Sequence, residues 1–123
     1  MERNEITGEI VDAAIKVHSA LGPGLLESAY HACLLYELRK RSLKVGSQIE
    51  MPVRYDGLLI GKAFRVDLFV ENNVIVELKA VPKLQAIHEA QLLSYLRLSE
   101  CRLGLLINFH SLLLRDGIRR MAN

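Results

Sequence analysis

Apolar positions recur at three- and four-residue intervals at the start of the chain and at alternate positions through its middle. Ile6, Ile10, Ala13, Ala14, Val17 and Leu21 fall on one stripe, which predicts an amphipathic helix over about residues 4–20. Gly22-Pro23-Gly24 stops it. A second helix is expected over about residues 24–41, with Leu26, Ala29, Tyr30, Cys33, Leu34 and Leu38 on its buried face. After Gly46 the pattern changes to alternation. Residues 47–55 read as a strand, with Pro52 marking an edge or a bulge. Asp56-Gly57 is a turn signal, and the next strand runs from residue 58 through Gly61 to Val70. Residues 74–81 form a further strand that Pro82 ends, opening a helix over about residues 83–99. Residues 103–109 are a fully apolar strand, and residues 112–121 add a short edge strand and a helical turn.

Two helices, an antiparallel three-strand meander, a helix and a returning strand give an α/β fold: a mixed β-sheet flanked by helices. A right-handed crossover makes the strands beginning at Val74 and Leu103 parallel neighbours. Neither repeats nor low-complexity linkers interrupt the chain, so residues 1–123 are expected to form a single domain.

Charge breaks the apolar pattern at one place. In Val74-Ile75-Val76-Glu77-Leu78-Lys79-Ala80-Val81, Glu77 and Lys79 share one face of the strand while Val76 and Leu78 bury on the other. Unpartnered burial of such groups costs several kcal/mol each, so they need a reason. Asp67, in the preceding strand, supplies a second carboxylate. A two-residue turn at Asn72-Asn73 would set Asp67 on the other face; a three-residue connection, Glu71 to Asn73, pairs Val70 with Val74 and brings Asp67 opposite Glu77, about 5 Å away at the backbone. We take the odd-length turn. Opposed carboxylates repel unless a cation lies between them or one takes up a proton, and oxygen ligands suit a hard divalent ion, Mg²⁺ or Mn²⁺.

Other polar residues are ambiguous by themselves. His88, Gln91 and Tyr95 form one stripe on the helix that follows, a common surface pattern that becomes of interest only beside an acidic strand. Glu27 lies in the first turn of the second helix, where the helix dipole alone favours a carboxylate. Tyr30 reads as core with its hydroxyl at the boundary. His18, His31 and His110 lack metal-ligand spacing and receive no chemistry.

Composition narrows the class without naming it. The net charge of +2 marks no nucleic-acid coat protein. Arg39-Lys40-Arg41 with Lys44 is as well explained by cations at a helix C-terminus as by a basic patch, and Arg119-Arg120 is a second small cluster. Cys33 and Cys101 stand alone, which excludes a zinc ribbon or four-cysteine cluster and suggests small buried hydrophobes. No apolar run approaches the ~20 residues of a membrane span, and residues 1–5 lack signal-peptide organisation, so a cytoplasmic location without membrane partners is expected. Dinucleotide, P-loop and nucleophile-elbow motifs are missing.

Taken together, Gly24-Leu25-Leu26-Glu27-Ser28-Ala29-Tyr30, Arg65-Val66-Asp67, Glu77-Leu78-Lys79 and Gln91-Leu92-Leu93-Ser94-Tyr95 resemble the spaced motifs of the GxxExxY proteins, within the PD-(D/E)xK nuclease superfamily. The resemblance implies a restriction-endonuclease-like core with Glu27 on the first core helix, Asp67 and Glu77 on adjacent strands, Lys79 beyond them and Gln91 on the next helix. Val66 stands where the superfamily's naming motif has proline. The implied function is Mg²⁺-dependent (or Mn²⁺-dependent) hydrolysis of DNA or RNA phosphodiesters, with Asp67, Glu77, Glu27 and the Leu78 carbonyl as ligands. Lys79 would assist the nucleophilic water or the transition state, and Gln91 and Tyr95 would orient the nucleophile or substrate. The alternative is a non-catalytic nucleic-acid- or protein-binding module on the same fold. A third reading is a structural domain with Glu77 and Lys79 in a surface ion pair. So small a chain is expected to work as a homo-oligomer or in a larger complex.

Overall fold

In the computed structural model, which describes residues 1–123, nine elements follow one another. Helices α1 (Arg3–Leu21) and α2 (Glu27–Lys40) come first, then strands β1 (Val45–Tyr55), β2 (Leu58–Val70) and β3 (Val74–Lys79). Helix α3 (Ala86–Leu98), strand β4 (Leu103–Asn108), a 3-10 turn (Leu114–Gly117) and strand β5 (Ile118–Ala122) complete the chain. The sheet order is β1-β2-β3-β4-β5, antiparallel throughout except for the parallel β3–β4 pair that the α3 crossover joins. This is the expected α/β architecture, a mixed sheet with helices on both faces.

The two faces follow from strand alternation. Val74, Val76 and Leu78 pack with Ile10, Ala14 and Val17 of α1 and Tyr30, Leu34 and Leu38 of α2. Ile75 points the other way, toward Leu92 and Leu96 of α3. Each large aliphatic side chain buried in these layers contributes about 1.5–3 kcal/mol. Ion pairs hold α1 against α2 in antiparallel order: Lys16 with Glu37 at 3.3 Å, and Arg41 with Glu9 and Asp12 at 3.2 and 2.8 Å. Arg41 thus serves helix pairing, while Arg39 donates to the Val45 carbonyl. No helix is long and apolar enough to cross a membrane.

Three expectations need correction. Helix α2 begins at Glu27, because Gly22 and Gly24 take positive φ angles of 71° and 100° and hold residues 22–26 out of helical geometry. Leu26 is consequently its N-cap and 77% exposed, not part of the buried face, and Leu21 is exposed too. Helix α3 begins at Ala86 and β3 ends at Lys79, so Pro82 lies in a loop. The Asn108 amide holds that loop: it accepts from the Val81 N–H and donates to the Val81 carbonyl at 3.1 and 2.9 Å, replacing backbone partners. As expected, Pro52 lies on the edge strand at a register shift, and Asp56 and Gly57 both have positive φ, as a type I′ turn requires.

Tyr30 explains how the loop before Glu27 is fixed. Its ring is fully buried and stacked on Phe109, with centroids 4.6 Å apart, while its hydroxyl donates to the Gly22 carbonyl and accepts from the Leu25 N–H. Tyr30→Phe keeps the ring and removes both bonds. It should cost about 1–2 kcal/mol in denaturant unfolding; an unchanged midpoint would mean that the loop is held by other contacts.

Candidate active site

The turn between β2 and β3 sets the site. Glu71 and Asn72 take positive φ in a three-residue connection, and Val70↔Val74, Phe69↔Ile75 and Leu68↔Val76 pair across it. One more step would set Asp67 directly against Glu77, but the ladder stops there. The Asp67 N–H instead donates to Glu77 Oε2 at 2.7 Å, and the Leu78 N–H donates to Asp67 Oδ2 at 2.8 Å. The expected direct cross-strand pair is therefore replaced by a crosswise exchange. The strands part, and carboxyl oxygens satisfy N–H groups that would otherwise be left without partners. No further N–H of the chain donates to either carboxyl, and neither holds a sealed, unpartnered polar atom.

The opposite side of β2 is irregular at the same level. Ser47↔Leu68 and Ile49↔Val66 pair, but Gln48 and Asp67 between them do not. Gln48 has φ +54°, left-handed in mid-strand. Leu68 packs toward α1 and α2 while Val66 packs toward α3, so the alternation switches at Asp67.

Burial and repulsion govern the acids. Glu77 is only 5% exposed. Burial, then the nearby Asp67 charge, push its carboxyl up to about 8; the Asp67 N–H and Lys79 pull down, and hydrogen bonding with the Asp67 carboxyl pushes up. Glu27, on the exposed rim at the first residue of α2, is also raised, by partial desolvation and Asp67 against the pull of Lys79. On α3, over the face that Ile75 and Glu77 share, Tyr95 is raised by burial and then by Glu77 and Asp67, its ring stacked on Phe64 at 4.5 Å. Glu27, Asp67, Glu77, Lys79 and Tyr95 thus share one electrostatic environment reached from α2, both strands and α3. Lys79 forms no ion pair, so a Glu77–Lys79 surface pair does not account for the site.

Gln91 is exposed one turn before Tyr95 and makes no hydrogen bond. His88 leaves the proposed stripe, its Nδ1 accepting the Gln85 N–H at the start of α3. Conversely, His31, assigned no chemistry from its spacing, and Arg65, read only as part of its motif, lie beside the acids. With Glu27 and Asp67 they line a cavity of about 540 Å³ with no hydrophobic residue in its wall. Spacing gave only a partial signal: His31 follows Glu27 by one helical turn, whereas the break in alternation at Asp67 hides where Arg65 lies. Larger clefts, of about 630 and 730 Å³, lie away from the carboxylates.

No three His, Cys, Asp or Glu side chains stand together as a finished metal cage. Yet the donor set is wholly oxygen, one oxygen of each paired carboxyl accepts from no N–H, and the Glu77 carboxyl, pushed up to about 8, keeps its proton near neutral pH. These features of the Asp67–Glu77 pair fit a hard divalent cation.

Among known proteins, the model of a family described as the PD-(D/E)XK nuclease superfamily matches residues 4–121. No curated protein matches the sequence. A crystal structure of SSO0001 superposes with a TM-score of 0.54 at 21% identity, over 96% of this chain and 57% of that one, a likeness of fold alone. The chain therefore spans little more than half the length of SSO0001.

The Glu77 shift has a definite sign. Because its folded pKa lies above the ordinary 4.5, the stabilisation from protonated Glu77 is complete below about 4.5 and is lost as pH rises through about 8. Metal-free protein should lose thermal stability between about pH 5 and pH 8, and Glu77→Gln should flatten that decline. An equal decline in the variant would assign the pH dependence to other groups.

Proposed function

The chain belongs to the PD-(D/E)XK nuclease superfamily, and from that premise we propose that it is a single nuclease-like domain hydrolysing phosphodiester bonds of DNA or RNA with a divalent metal. Within the superfamily we group it with the GxxExxY proteins, on Gly24, Glu27 and Tyr30. Tyr30 supports this grouping physically, since its hydroxyl anchors the loop that presents Glu27. The observation that carries the function is the crosswise exchange between Asp67 and Glu77 beside an unpaired Lys79.

Asp67, Glu77 and the Leu78 carbonyl would hold Mg²⁺ or Mn²⁺, with Glu27 completing the set directly or through water. When bound, the ion supplies a Lewis acid for the phosphate oxygen and lowers the pKa of a ligated water. The chain's own groups do the rest. The backbone N–H groups of Asp67 and Leu78 fix one oxygen of each carboxylate and thereby orient the other. Lys79, free of any ion pair, donates to the attacking water or to the phosphoryl oxygens as charge builds on them. Tyr95 donates its hydroxyl proton in a hydrogen bond to the nucleophile or substrate, and Gln91, exposed one turn earlier on α3, orients the substrate.

Asp67→Asn retains an oxygen acceptor for the Leu78 N–H, so it tests the ligand role with least damage to the fold. It and Lys79→Ala should each lower Mg²⁺-dependent cleavage by at least about 100-fold while far-UV circular dichroism and the unfolding midpoint stay near wild type. Cleavage retained in both would remove this mechanism and favour a binding module on the same fold.

A further inference from the structure

We infer that the polar cavity between α2 and the β1–β2 ribbon is a subsite for the sugar-phosphate unit next to the scissile linkage, with Arg65 binding its phosphate. The inference deepens the nuclease reading and rests on it. At about 540 Å³ the cavity falls within the ~300–1,000 Å³ of small-ligand sites. No aliphatic, Phe, Tyr or Trp side chain lines it, so the only planes it offers a nucleobase are the His31 imidazole and the Arg65 guanidinium. Its guanidinium, imidazole, hydroxyl and amide groups suit phosphate and sugar oxygens instead.

Three further features support an anion there. Arg65 is exposed and forms no ion pair or hydrogen bond, although Asp67 is two residues away, so its planar fork is free for a phosphate. His31 Nε2 is bonded to Ser47 Oγ at 2.8 Å, tying α2 to β1 across the cavity, and Nδ1 has no protein partner. Gln48, in the same wall, holds a left-handed conformation that a non-glycine residue reaches only with strain, in the middle of a strand and opposite Asp67. The carboxylates of Glu27 and Asp67 form the remaining wall. They repel a phosphate and attract a cation, so the cavity is polarised, with the metal at one side and the anion drawn toward Arg65.

The test measures binding of a short fluorescent oligonucleotide by anisotropy in chelator-containing buffer, where no metal-dependent hydrolysis runs. Each linkage is replaced in turn by an uncharged methylphosphonate, and deoxyribo- and ribo-strands run in parallel identify the sugar by the stronger effect. In wild type, one neutralised linkage should weaken binding about tenfold. Arg65→Ala should bind the unmodified strand about tenfold more weakly, lower the salt slope by about one, and no longer respond to that neutralisation. Arg115→Ala, removing an exposed charge elsewhere, should behave as wild type. Gln48→Gly should raise the melting temperature and weaken binding, whereas a merely structural Gln48 would give only the first. Unchanged binding in Arg65→Ala, or additive losses in variant and modified strand, would overturn the subsite. With Mg²⁺ restored, the sensitive linkage should adjoin the cleaved one; a sensitive linkage elsewhere would also overturn it. Cleavage by wild type without Arg65 coupling would overturn the subsite and leave the nuclease reading; coupling without cleavage would overturn that reading and leave a phosphate anchor.

Discussion

Where β2 and β3 part, the Asp67 and Leu78 N–H groups are satisfied by carboxyl oxygens instead of strand carbonyls. An N–H buried without a partner costs about 1–3 kcal/mol, so once the ladder opens these carboxyls cannot leave without loss. The same bonds force two acids together in a place where Glu77 is almost sealed from water. Electrostatic tension is therefore fixed by the backbone. A proton relieves it in the free protein, which is why Glu77 is pushed up to about 8. A divalent cation would relieve it more fully, since it would neutralise both carboxylates at once.

Other elements act on the two ends of this opening. Ion pairs set α2 against α1, and Tyr30 grips the loop at its start, so that Glu27 stands at the rim. Beyond Lys79, the Asn108 amide pins Val81, and the Phe109 N–H bonds the Lys79 carbonyl at 2.9 Å. The parallel β3–β4 pairing thus reaches to the end of β3, and Lys79 is held by its backbone while its side chain remains unpaired. From α3, which covers the face of Ile75 and Glu77, comes Tyr95, braced by Phe64.

Local rules made much of this legible. The count of residues between Val70 and Val74 was enough to choose the register that brings Asp67 beside Glu77, because a one-residue slip turns the side chains to the other face. The parallel crossover followed from an apolar strand after a helix. What escaped depended on tertiary contacts. Leu26 matched the helical stripe, but the positive φ of Gly24 delays the helix and leaves Leu26 in solvent. Pro82 looked like a helix start, yet the Asn108 side chain, distant in sequence, holds its neighbour in a loop. His31 has no chemistry on its own; it acquires a place only because α2 docks where Ser47 meets it. The left-handed Gln48 has no sequence signature, since a strand glycine would have announced the bend and a glutamine does not.

The most direct test of the central claim is calorimetric titration of Mg²⁺ into the protein near pH 7, in buffers of different ionisation enthalpy, to count protons released. If the acid pair keeps a proton until a cation replaces it, binding should release close to one proton per ion, and Glu77→Gln should release none. Binding without proton release, or no binding by the wild-type protein, would contradict the account of Asp67 and Glu77 as a metal-seeking pair.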